Sequence, residues 1–337
     1  MFKAARISYW FILITILLVG WLHLATPLLA ALFSYFLLGK LQFAGDRKWV
    51  PVVIFVVLVL GIAYGLGHFA RQTVNALPKI AETTIPKVID WAEKKDIQLP
   101  FTDYQSLKAM AMETVQETQN VSRFANFAKV ATAQFVFLII GCVVAVSIFL
   151  NAQVVLDRAS HPVKNNLYAV CADEIAQRFR SFYHCFVTVM GAQIIISSIN
   201  TALTSIYVLA VSLPYAAVVI GITFFCGLLP VVGNLISNTI IVGISFTISP
   251  KMALAALIFL VVIHKLEYFL NSKIIGDRIK NPVWLTLLGL ILGEKLMGIP
   301  GMILAPVVLN YLKVEASKIE VGGEASEDPA QPARPAG

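Results

Sequence analysis

Charged side chains are scarce in this chain. Asp, Glu, Lys and Arg make up 13% of its 337 residues while hydrophobic residues make up 58%, and the mean hydropathy is +0.80. A soluble domain covers itself with charge, so this composition excludes one and points to a polytopic membrane protein. Cysteine is sparse too. Cys142, Cys171, Cys185 and Cys226 form no CxxC pair and no metal-ligand spacing, which reads as small buried hydrophobes rather than a disulfide framework or a metal site. The apolar runs hold no HExxH, no GxSxG, no Walker A loop and no pair of catalytic aspartates. Neither an intramembrane enzyme nor direct use of ATP is expected, and no cofactor is implied. The formal charge of +7 comes without a basic stripe interleaved with stacking aromatics, so nucleic acid is not an expected partner. In a membrane protein such charge records orientation and contact with the lipid bilayer.

What is abundant is apolar sequence, and its interruptions carry the argument. The apolar run over residues 215–248 is far too long for one crossing, and the stretch FCGLLPVVGN inside it places Gly227, Pro230 and Gly233 close together. Proline lacks an N–H and clashes with the preceding turn, and glycine tolerates angles other residues avoid, so a turn is expected inside the apolar layer. Freed backbone groups are costly in lipid, so such a turn must be packed in protein or line a cavity. A second break, GEKLMGIPG over residues 293–301, contains Gly298, Pro300 and Gly301. Two interrupted hydrophobic segments point to the substrate region of a transporter.

The remaining chain divides by composition. Residues 1–68 read as N-terminal transmembrane helices, beginning with two short apolar runs at 9–24 and 27–38 that either cross at a tilt or dip in and return. Residues 69–132 carry eight Lys or Arg and seven Asp or Glu on helical amphipathic spacing, which suggests a helical extramembrane domain. A transmembrane helix over 133–150, a helical connector over 151–183 and a C-terminal transmembrane core with the broken segments over 184–313 follow. The tail, 314–337, is rich in Glu, Pro, Ala and Gly after residue 321 and reads as disordered. The expected fold is therefore all-α, with about eight transmembrane segments including broken or re-entrant pairs. Placing the N-terminus in the cytoplasm puts fourteen Lys and Arg there and leaves only Lys251 in a short outer loop, as the positive-inside rule requires. The C-terminus is then cytoplasmic as well, and residues 69–132 lie outside.

Charges left within the apolar layer are candidate functional groups. Glu267 leads. It follows His264 by three residues and precedes Asn271 by four in an otherwise apolar helix, so the three share a face. A carboxylate facing cavity water can take up a proton or bind a cation, and His264 can exchange a proton near neutral pH. The alternative is that they are solvated anchors near the inner interface. Glu294, beside Lys295, is the other intramembrane acid, either solvated at the turn of the last pair or lining the path. Asn234 and Asn238 begin the second half of the central pair, where a helix N-terminus favours an anion. Gln193, Ser197, Ser198, Asn200 and Ser205 lie in one long apolar segment and read as interhelical hydrogen-bonding groups, with a substrate-facing role as the alternative.

The chain resembles the autoinducer-2 exporter family, also described as PerM-like permeases. The residues that carry the resemblance are Pro214 and Tyr215, GLLPVVG at 227–233, Glu267, IIG at 274–276, Asn281 and Pro282, and GIPGMILAPV at 298–307. Asn234 stands where the central motif commonly continues with proline, and Ser272 where many members carry proline before IIG, which marks a divergent subfamily. The resemblance implies a homo-oligomeric exporter of small molecules in a bacterial inner membrane. Some members are associated with autoinducer-2, and others resemble sodium or lithium/proton antiporters. Coupling to protons or cations through Glu267 is the mechanism expected, with small-molecule or ion efflux as the activity. A channel-like oligomer or an envelope scaffold without coupled transport are the alternatives.

Overall fold

The computed structural model describes residues 3–42, 47–97, 120–151, 166–229, 232–275 and 282–319. In chain order its helices are α1 (Lys3–Trp21), α2 (Ala25–Leu41), α3 (Trp49–Glu93), α4 (Asn120–Leu150), α5 (Leu167–Ala210), α6 (Ala216–Gly227), α7 (Val232–Ile248), α8 (Pro250–Ile275) and α9 (Val283–Ala316). Apolar runs of this length become helices because a helix satisfies its own backbone groups where no water reaches them. Among the described residues, five helices are long and apolar enough to cross a membrane, and α2, α6 and α7 are shorter apolar helices. Large apolar side chains such as Val57, Leu60, Phe135, Val143 and Leu257 remain exposed on the outside of the bundle, as a lipid-facing surface requires. The chain is an all-α polytopic membrane protein.

Three buried clusters hold the helices together. One joins α1, α2, α5 and α9 around Phe186, Val307 and Tyr311. A second joins α3, α5, α6, α7 and α8 around Val208, Val218, Ile241 and Ala256. The third joins α2, α3 and α4 around Leu38, Phe55, Ala145 and Phe149. Helices α2 and α4 run side by side in the same direction: Thr26 donates to Gln134 at 2.6 Å, and Ser34 donates to Cys142 at 3.4 Å one stretch further along both. A side chain at Gly141 would collide with Ala30, its Cβ falling 2.5 Å from the alanine methyl, so small residues set this close approach.

The expected division at residue 68 falls inside α3. This helix runs unbroken for 45 residues, about 68 Å at the α-helical rise, more than twice the hydrocarbon thickness of about 30 Å. Composition changes at residue 69, but helical spacing continues, and the amphipathic half finds a partner along the α6–α7 pair. Phe69 meets Phe225 with ring centroids 5.6 Å apart, Trp91 meets Phe246 edge-on at 5.5 Å, and Lys87 donates to the Thr247 carbonyl. The expected boundaries at 132 and 183 likewise fall within α4 and α5. Helix α9 continues to Ala316, so residues 314–316 belong to the folded bundle and not to the tail. Residues 98–119, 152–165 and 320–337, with the insertion, connector and tail expectations that rest on them, lie outside the described residues.

Both interrupted segments fold back on themselves. Helices α6 and α7 have 12 and 17 residues, about 18 and 25 Å, each short of the hydrocarbon thickness. A Cβ on Gly233 would lie 1.6 Å from the Cys226 carbonyl oxygen, so only glycine lets the second arm leave the tip at that spacing. Pro230 lies outside the described residues. In α9 the reversal is at Gly298, whose φ of 65° and ψ of −150° are open to glycine alone. Beyond it the arms return in contact: a Cβ on Gly301 would sit 2.0 Å from the Gly293 carbonyl oxygen, and one on Gly289 would sit 2.9 Å from Leu309. Measured by length alone α9 would cross a membrane; its bend makes it two shorter arms.

Candidate functional site

Helix α8 carries Glu267 to a meeting point of three helices. Its side chain is 14% exposed. Asn234, in the first turns of α7 just past the break, donates from Nδ2 to Glu267 Oε2 at 2.6 Å, and Asn200 of α5 donates to the same oxygen at 3.2 Å. His264 Nδ1 stands 4.0 Å from that oxygen, one turn away on α8. Thr204, Thr223, Ser237 and Asn238 add polar groups, and Leu260 and Ile263 apolar ones, to the lining of a cavity of about 10 Å³ beside the carboxylate, room for about one water-sized particle. Asn200 is 6% exposed, and its Oδ1 has no hydrogen-bond partner among the described residues.

Height along the bundle follows from the same contacts. Asn200 lies about 33 Å along α5 from Arg178 at a rise of about 1.5 Å per residue, and its bond to Glu267 holds the carboxylate level with the middle of the apolar part of α5. Glu267 is thus enclosed by three helices rather than set at an exposed helix end. The tip of the α6–α7 pair lies alongside. Gln193 donates to the Gly227 carbonyl at 2.6 Å and Ser197 to the Phe224 carbonyl at 2.8 Å, so side chains of α5 satisfy the backbone groups that the break sets free.

The candidate residues separate into groups. Glu267, His264, Asn234 and Asn238 come together, joined by Asn200. Asn271 continues α8, and its side chain is outside the described residues. Glu294 is exposed, with Lys295 3.6 Å away; it belongs to the α9 reversal with Gly298, Pro300 and Gly301. Gly227 and Gly233 shape the tip near the carboxylate. Asn200 shares a helix face with Gln193 and Ser197, and its different partner follows from its place further along that face. The spacing Gln193, Ser197, Asn200, Thr204 is a single helical stripe, and Asn234, Ser237, Asn238 is another; the two stripes are the signal for the cavity.

A second polar centre lies where α1 begins and α9 ends. Arg178 is 9% exposed and Glu315 is 3% exposed, and Arg178 donates to Glu315 through Nη1 and to Glu174 at 3.2 Å. Ser181 donates to Glu315 at 2.5 Å and Lys318 at 2.7 Å. The Arg178 guanidinium lies over the Tyr9 ring, 4.2 Å from its centroid. Nothing in the local sequence pairs Arg178 with an acid 137 residues away.

Among known proteins, the family model described as "AI-2E family transporter" matches residues 7–318. YdbI of Bacillus subtilis (strain 168), described as a candidate transport protein, is 30% identical over 151 residues, covering 44% of this chain and 43% of the relative. The chain thus matches less than half the length of that relative.

Proposed function

The chain belongs to the AI-2E family of transporters, and from that premise we propose that it is a secondary transporter coupled to protons or cations through Glu267, exporting a small molecule across a bacterial inner membrane. The observation that carries this reading is the convergence of the Asn200 and Asn234 amides on one Glu267 oxygen beside a cavity of about 10 Å³. An ionised carboxylate accepts from both amides. Once protonated it has lost the charge that strengthens those bonds and has a donor of its own to place. A bound cation imposes a further change, since the amides must then offer oxygen in place of N–H. Either event acts on Asn234, which sits beside Gly233 where α7 leaves the α6–α7 tip. Occupancy at Glu267 thereby biases the position of that tip, and a re-entrant tip packed against one helix is an element able to gate.

A sodium or lithium/proton antiport reading is favoured by one further observation. The cavity admits a particle of about the size of water, and Asn200 Oδ1 is a buried oxygen without a partner among the described residues. An alkali cation fits there and an organic molecule does not. The coupling ion and any organic substrate therefore use different places.

The experiment is flux of sodium, lithium and protons in sealed vesicles that contain the purified protein. Wild type is expected to move protons against a sodium or lithium gradient, and Glu267→Gln to lose that movement while eluting and melting as wild type does. Normal cation-coupled proton movement in Glu267→Gln would exclude Glu267 as the coupling group.

A further inference from the structure

At the end of the bundle that holds the Arg178–Glu315 pair, a larger cleft of about 480 Å³ opens between α5 and the end of α9, lined by Arg180, Ser181, His184, Asn310 and Lys318 among others. Its volume falls in the range of about 300–1,000 Å³ usual for small-molecule sites. Its chemistry is uneven. Glu315 is engaged by Arg178, Lys318 and Ser181, and Glu174 by Arg178, while Arg180 takes no part in the ion pairs of the described residues. The wall therefore carries excess positive charge, to which His184, one turn from Arg180, adds when protonated. Asn310 is 3% exposed, and its Oδ1 has no hydrogen-bond partner among the described residues. A buried amide oxygen without a donor is costly, and a ligand hydroxyl removes that cost.

We propose that this cleft binds a hydroxylated phosphate ester, the chemistry shared by a soluble polyol phosphate and the glycerophosphate headgroup of a lipid. Phosphate oxygens point in several directions, so cations on separate elements, Arg180 on α5 and Lys318 beyond α9, can each reach one. The Asn310 amide oxygen accepts from the ligand hydroxyl. The α5 residues of the site from Arg180 to His184 lie about 24–30 Å along that helix from Asn200, and the site does not depend on Glu267.

The test uses the full chain in nanodiscs. In phosphatidylcholine discs, sn-glycerol 3-phosphate is titrated against thermal stability, with glycerol as the uncharged control. In mixed discs, retained phosphatidylglycerol is counted against phosphatidylcholine by native mass spectrometry. Binding in either arm is expected to weaken about tenfold in Arg180→Gln, an exposed position whose replacement leaves packing alone, and to weaken in Asn310→Leu. Glu267→Gln is expected to bind as wild type does, which separates this site from the coupling proposal. A response in the first arm identifies a soluble ligand, and one in the second a lipid. No binding in either arm, or equal binding by wild type and Arg180→Gln, overturns the proposal.

Discussion

Glu267 is the residue on which transport is proposed to turn, and its partners make its role testable at the scale of single side chains. Asn234 makes the shorter of the two amide bonds to it, at 2.6 Å. Asn234→Leu removes a hydrogen bond to a charged group, a loss of about 1.5–3 kcal/mol, so the unfolding midpoint in detergent is expected to fall and coupled flux to drop more than in Asn238→Leu. Arg178 and Glu315 behave differently because both are enclosed, with side chains 11% and 4% exposed. Arg178→Met leaves a carboxylate buried without its guanidinium and is expected to cost about 3–5 kcal/mol. Adding Glu315→Leu should restore most of it, as followed by thermal unfolding of the single and double variants. In the sequence Glu267 stands out because a carboxylate within an apolar helix is rare and expensive. Arg178 does not, because beside Glu174 and Arg180 it looks like one more solvated charge, and only its distant acid sets it apart.

At the scale of elements, the two reversals share a device. Each depends on glycine where one arm's backbone passes the other. Gly301→Ala puts a methyl 2.0 Å from the Gly293 carbonyl oxygen, and backbone cannot move aside as a side chain tip can, so the α9 arms must part. The expected result is a lower unfolding midpoint and loss of transport, whereas Gly191→Ala, with nothing within 4 Å of the added methyl, should leave both unchanged. Both reversals are legible in the sequence, since Gly–Pro–Gly clusters in apolar runs have few other meanings. The continuity of α3 is not. The charged residues after position 68 suggest a separate domain, yet Phe69, Lys87 and Trp91 all reach the α6–α7 pair. A change of composition marks a change of surroundings and need not mark a helix end.

For the whole molecule the testable quantity is which face looks inward. The proposed orientation sets Arg180 in the cytoplasm and Lys251 outside, on opposite sides of the bilayer. In a cysteine-free background, an impermeant thiol reagent applied to intact cells is expected to label Lys251→Cys but not Arg180→Cys, and permeabilisation to expose the latter. Labelling of both, or the reverse pattern, would reject the orientation. The sequence by itself determined the helical, membrane-spanning class, the places where the apolar runs turn back, and the family. These follow from composition, the backbone's need for partners in lipid, and the steric limits of proline and glycine, all of which act over a few residues. Only the tertiary structure decided that Asn200 and Asn234 hold Glu267, that α3 runs on to brace the α6–α7 pair, and that Arg178 finds Glu315 beside a basic cleft. Those pairings join residues 33 to 160 positions apart, and they exist because burial in a bundle leaves a polar group only the partners that packing brings to it.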